Sequence, residues 1–295
     1  MTIPTLTEEH FEKLRADKTV RKYMRLITPD HLRGLGCYLL ALPIWVLFAG
    51  YGGYALNRAG LYPGAWLVLA LLVVAVVVPL LPILRARRHM HRPVLDTLAT
   101  LIGMDYASHD FEMKAYAIAK PRLFGEEATE TFTELLAGKE GKDAFAICHA
   151  EIELGGEPAY EGLFYWLKRK SESTAFVAVV PLAAVPRLKL SDKAKRLPSL
   201  GDPQFDAIFA IFTDRPAEAP AMLSPALRRL LLGHAAHGPV YLHIGHANVF
   251  LAASPPETFE APPGTARADR LRAIFDKTAA ALGVARSARA ALYAP

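Results

Sequence analysis

Four histidines close together late in the chain, His234, His237, His243 and His246, have the clearest capacity for chemistry, because imidazole is the commonest transition-metal ligand. Their setting weakens the case. The first two flank a predicted helix end, the third falls in a predicted strand and the fourth in its turn, with no HExxH pair and no carboxylate at ligand spacing. They stand as the candidate metal ligands, and scattered surface or hairpin histidines are the simpler reading. Cys148 and His149 resemble a nucleophile and base on paper, but neighbours on a strand point to opposite faces. The same alternation puts His149, Glu151 and Glu153 on one face, where they suit acid–base work or form the wet side of a sheet.

Two charge runs remain. Glu126, Glu127, Glu130 and Glu134 follow Gly125, and Arg187, Lys189, Lys193, Lys195 and Arg196 form a basic stretch; such runs are ordinarily solvated. The sequence has no GxGxxG, GxxxxGK[ST] or GxSxG, so it gives no nucleotide or hydrolase signature. No catalytic residue and no cofactor is expected. Cys37 and Cys148 are the two cysteines, which excludes a disulfide framework.

The elements that would position these residues read as follows. A helix is predicted from Thr5 to Ile27, opened by a Thr5-x-x-Glu8 capping box. Helical spacing recurs at Pro93–Met104 and Phe111–Ala119, the latter stopping at Lys120-Pro121. Strand patterns occupy Phe145–Leu154, Tyr160–Leu167, Ala175–Leu182 and Phe205–Thr213. Ser224-Pro225 starts a helix that Gly233 can end, a hairpin turns around 245–248, and a terminal helix runs from about Thr265 to Leu282. The expected fold is α+β, with a mainly antiparallel sheet and flanking helices.

The apolar excess is local. Of the 295 residues 52% are hydrophobic, yet between Leu35 and Leu84 the single charged residue is Arg58. Residues 35–56 and 61–84 are each long enough to cross a hydrocarbon core of about 30 Å. A four-residue link would make them a transmembrane hairpin. Tyr51, Tyr54, Tyr62 and Trp66 fall beside that link, where amphipathic rings favour the headgroup level. Seven basic side chains precede the first stretch, and Arg85, Arg87, Arg88 and Arg92 follow the second. The positive-inside rule then places both termini in the cytoplasm, and the arginine collar can attract anionic headgroups. Neither stretch contains Asp, Glu, Lys or His, which argues against a transporter. The expected organisation is a cytoplasmic helical segment (1–34), a hairpin (35–84) and a cytoplasmic α+β domain (85–295). Of the net charge of +5, Pro93–Pro295 carries a small negative share, which gives no electrostatic footprint for nucleic acid.

Two stretches carry a family resemblance. "YEGLFYWLKRKSESTAFVAVVP", with Gly162, Leu163 and Phe164 at its core, and "FDAIFAIFTDRPAEAPAMLSPALRRLLL", with Phe205, Phe209, Phe212, Thr213, Asp214, Glu218, Ala219, Leu223, Ser224 and Pro225, resemble a bacterial membrane-protein family catalogued as domain of unknown function 3137. The likeness covers roughly Leu101 to Ala253, and Pro220 stands where that family pattern has a basic residue. It implies a membrane-anchored cytoplasmic domain and assigns no reaction. The expected role is therefore a non-catalytic binding, adaptor or regulatory module in the inner or plasma membrane, with the lipid bilayer and a protein partner or anionic lipid headgroups as its contacts. The alternative is a membrane-tethered metal-dependent hydrolase using the C-terminal histidines.

Overall fold

A computed structural model describes residues 3–26, 50–55, 57–58, 60, 91–108, 116–138, 144–169, 175–191, 193–253, 258–262 and 265–294. The chain divides into two units, one of Met1–Glu12 with Leu95–Pro295 and one of Lys13–Val94.

Where one N-terminal helix is predicted, the structure has two, α1 (Glu8–Ala16) and α2 (Lys18–Leu26). The cause is Asp17, whose Oδ1 accepts from the backbone N–H of Thr19 at 2.7 Å and of Val20 at 3.0 Å, so it caps a new helix. The first cap is also displaced. Thr7, not Thr5, precedes α1, and His10 Nδ1 lies 3.2 Å from the Thr7 N–H and 2.7 Å from its hydroxyl, taking the place a glutamate holds in a capping box.

The two-pass transmembrane hairpin, and with it an inner-membrane location with both termini cytoplasmic, is not supported. Among the described residues no helix is long and apolar enough to cross a membrane. Helix α3 (His91–Leu101), which contains Arg92, spans 11 residues, about 16 Å at 1.5 Å per residue and so far short of a hydrocarbon core. The longest, α8 (Arg267–Leu292), has 26 residues but carries Asp269, Arg270, Arg272, Asp276, Lys277, Arg286 and Arg289. Charges at that density do not lie in hydrocarbon. Most of 35–56 and all of 61–84 lie outside the described residues, as do Tyr62, Trp66, Arg85, Arg87 and Arg88. Tyr51 and Tyr54 lie on a helical segment and are 76% and 61% exposed.

The α+β expectation holds. The described strands form a nine-stranded sheet in the order β1-β2-β3-β4-β9-β8-β5-β7-β6. These are β1 (Met104–Ala107), β2 (Thr129–Gly138), β3 (Phe145–Leu154), β4 (Glu157–Lys168), β5 (Val177–Pro181), β6 (Lys195–Leu197), β7 (Phe209–Thr213), β8 (Tyr241–Ile244) and β9 (Asn248–Ala252). Every neighbouring pair is antiparallel. β5 is buried at Val177, Ala178, Val179 and Val180, as a central strand with both faces covered must be.

One face of the sheet buries Cys148, Ala150, Ile152, Phe164 and Phe250 beneath α4 (Tyr116–Leu123). The Tyr116 ring meets those of Phe132, Phe164 and Phe250 edge-on at 5.2, 5.4 and 5.6 Å. On the opposite face Ile147, Leu163, Tyr165 and Leu251 are also buried, and α8 packs against β4 and α7 (Pro225–Ala235). Ser224 locks α7 in place: its Oγ accepts from Leu227 N–H at 3.2 Å and donates to Ala291 O at 2.7 Å. The terminal helix passes Gly283 and runs on through Ala288 to Leu292, because the alanine-rich sequence there favours helix and Ala288 and Ala291 find buried places.

Candidate functional site

The four late histidines do not converge on a common ligand-spaced group among the described residues. His234 closes α7 near His237, and His246 sits in the β8–β9 turn. His243 is 2% exposed, stacks on Phe176 at 6.0 Å and 18°, and leaves both ring nitrogens without a partner. Burial, with Arg122 and His246 nearby, pushes its pKa down to about 3. It is a neutral core side chain at ordinary pH.

β3 separates Cys148 from His149 as the strand alternation predicts. Cys148 is fully buried, its thiol faces Phe164 O at 3.7 Å, and burial holds its pKa far above the usual thiol range, so the thiolate needed for attack is not available. His149 lies on the other face. Its Nδ1 stands 3.4 Å from Thr133 Oγ1, while Nε2 is buried without a partner.

The carboxylates that join His149 differ in part from the predicted pair. Glu151 is there, but the third member is Glu161 on β4 rather than Glu153: one ligand atom from each of His149, Glu151 and Glu161 lies within 4.8 Å of the others. The register makes this so. β3 and β4 are joined by Gly155-Gly156, with φ of 61° and 80°, a two-residue turn that glycine adopts freely. It pairs Leu154 with Glu157 and Glu153 with Pro158, and a one-residue register shift between Glu153 and Ile152 then places Glu151 directly opposite Glu161. The glycine pair alone would set Glu151 opposite Tyr160, so the sequence pattern does not point to Glu161; the register shift between Ile152 and Glu153 brings it in. An imidazole and two carboxylates at this separation can share a divalent cation or relay a proton.

The two charge runs meet. Lys189 Nζ is 2.6 Å from Glu127 Oε2, and Lys120 on α4 is 2.8 Å from Glu130 on β2. Backbone contacts hold the segments together, with Ser191 N–H donating to Pro121 O at 3.1 Å. Gly125, at φ 89°, has its Cα against Lys189, where a Cβ would come within 2.6 Å of the carbonyl oxygen. Between them opens a cleft of about 590 Å³ lined by Arg122, Glu126, Glu127, Lys189, Ser191 and Lys193. The Arg122 guanidinium sits 4.6 Å above the Phe176 ring, which fixes one positive charge at the cleft wall. Arg187 is engaged elsewhere, donating to Leu154 O at 3.1 Å and Glu157 O at 3.0 Å.

Comparison with known proteins gives a family match over part of the chain and no activity. Residues 159–287 match the model of the family described as "Protein of unknown function (DUF3137)". The match begins in β4 and takes in much of α8, further toward the C-terminus than the resemblance over Leu101–Ala253 reaches. No curated protein matches. Among solved structures, the crystal structure of the mycobacterial trehalose monomycolate transport factor A, TtfA, is similar at 14% identity and a TM-score of 0.37, covering 64% of this chain and 93% of that one.

Proposed function

We propose that this chain, which matches the DUF3137 model over residues 159–287, is a non-catalytic binding module that takes a charged segment of a protein partner into the cleft between α4 and residues 189–191. The observation that carries this reading is the cleft itself: two oppositely charged runs, some sixty residues apart in sequence, are held face to face around a space of about 590 Å³. The Lys189–Glu127 pair at its mouth has side chains 72% and 63% exposed. Exposed pairs contribute little to folding, so a partner bringing its own charges can replace that contact at small cost. Walls bearing Arg122, Lys193 and Glu126 suit a segment of alternating sign better than an apolar small molecule. Two of the side chains with nucleophilic or basic chemistry are withdrawn from catalysis, since Cys148 is buried and His243 is held neutral in the core.

The test places a photo-cross-linking residue at Lys193 of the full chain in its native cell extract. A discrete protein adduct is expected, and combining the cross-linker with Lys189→Glu and Arg122→Glu should remove it while the fold, followed by circular dichroism, is kept. An adduct that survives both charge reversals, or none at all, overturns the reading.

A further inference from the structure

We propose that His149, Glu151 and Glu161 bind one divalent transition-metal ion, of the zinc or manganese class, that bridges β3 and β4. The site lies on the face of β3 opposite Cys148 and Ala150, which belong to the core beneath α4, so it stands independently of the cleft.

Three observations converge. First, Glu151 and Glu161 are direct cross-strand partners, and both are exposed. Like charges directly opposite each other oppose pairing, whereas a cation between them reverses the sign of the interaction. Second, His149 lies two residues before Glu151 on the same face, and its ligand atom completes a set within 4.8 Å. Ligands each about 2.0–2.2 Å from a common ion lie roughly 3.3–3.6 Å apart in a tetrahedral set, so rotation of the two exposed glutamate side chains would close the group onto the ion. Third, His149 Nε2 is shut off from solvent and has no hydrogen-bond partner, although Nδ1 faces the Thr133 hydroxyl at 3.4 Å. A metal-ligating histidine ordinarily has one nitrogen on the ion and the other oriented by a polar neighbour. An ion held with the two carboxylates would give the imidazole the partner that its Nε2 lacks among the described residues.

The donor set gives the metal class. One imidazole with two carboxylates suits zinc, manganese or iron, whereas calcium and magnesium take all-oxygen shells. No thiolate contributes, because Cys148 points to the other face. Three protein ligands leave at least one position for water, as in open zinc sites.

The test uses the full chain, stripped with chelator and titrated with zinc chloride or manganese chloride in excess magnesium. About one equivalent should bind, with a rise in melting temperature. Glu161→Gln and Glu151→Gln keep the shape and remove a like charge, so without metal each should melt no lower than the wild type, yet each should bind at least tenfold more weakly and lose the metal-dependent rise. His234→Ala with His237→Ala should leave uptake unchanged. The proposal fails if the wild type takes up no metal saturably, if both glutamine variants bind as the wild type does, or if the paired histidine variant abolishes uptake.

Discussion

His243 gives the sharpest test of how this core is built. Its imidazole is 2% exposed between Phe176 and Phe250, both nitrogens lack partners, and burial, Arg122 and His246 push its pKa down to about 3. In the unfolded chain the same group titrates near its ordinary value of about 6.5. The folded pKa of this base is therefore below the unfolded one, so between those values the unfolded chain binds a proton that the folded chain refuses. Stability is fully present above about pH 6.5 and declines as pH falls toward 3, by about 1.4 kcal/mol per unit from this group alone. At pH 4.5 the loss is about 3 kcal/mol. His243→Leu, of similar volume and without polar atoms, should match or exceed the wild type at pH 7, because an unpartnered buried nitrogen costs roughly 1–3 kcal/mol. Urea unfolding at pH 7.0 and 4.5, followed by circular dichroism, reads the difference directly. The variant should gain about 2–3 kcal/mol on the wild type between the two conditions. Parallel losses in both proteins would show that His243 is not a neutral, unpaired core residue.

Two further substitutions probe the frame. Gly125→Ala forces a Cβ to within 2.6 Å of Lys189 O at φ 89°, so it should cost about 1–3 kcal/mol in urea unfolding and weaken the Lys189–Glu127 contact, with wild-type stability as the refuting result. Ser224→Ala removes both the cap on Leu227 N–H and the hydrogen bond to Ala291 O, which should cost about 1–2 kcal/mol. Ser224→Asp, which keeps an acceptor and loses the donor, should recover part of that loss.

Much of the domain could be read from local pattern. Phe145–Leu154 is a strand with the predicted limits, Ser224-Pro225 opens α7, and the hairpin around 245–248 forms where its turn residues fall. The misses have separate physical causes. Thr129–Gly138 looks acidic, yet its alternating threonines favour a strand, and Lys120 neutralises Glu130 at 2.8 Å. Phe205 joins a short helix, α5 (Pro203–Asp206), instead of the strand, since Asp202 accepts from its backbone N–H and Pro203 supplies the first helical residue. Pro121 lies inside α4 rather than ending it, and its carbonyl is taken up by Ser191 N–H. The cleft was not legible at all, because the approach of residues 187–193 to 117–127 is a tertiary contact that no local periodicity encodes.

The strand β3 shows why the position of chemistry was easier to anticipate than its membership. Alternation alone sends Cys148, Ala150 and Ile152 into the aromatic core and His149 and Glu151 to the other face, and the structure keeps that division. What alternation cannot supply is the neighbour across the ladder. Glu161 enters because the register slips by one residue between Ile152 and Glu153, just beyond the turn at Gly155 and Gly156, and a turn one residue longer would shift the pairing again and turn its carboxylate to the opposite face. The polar cluster thus depends on backbone register, set by the turn and the irregularity beside it, and not on its own functional groups. Lengthening that turn by a single alanine should separate Glu161 from His149 while leaving Cys148 in the core, and metal uptake that persists in such a variant would place the ion elsewhere.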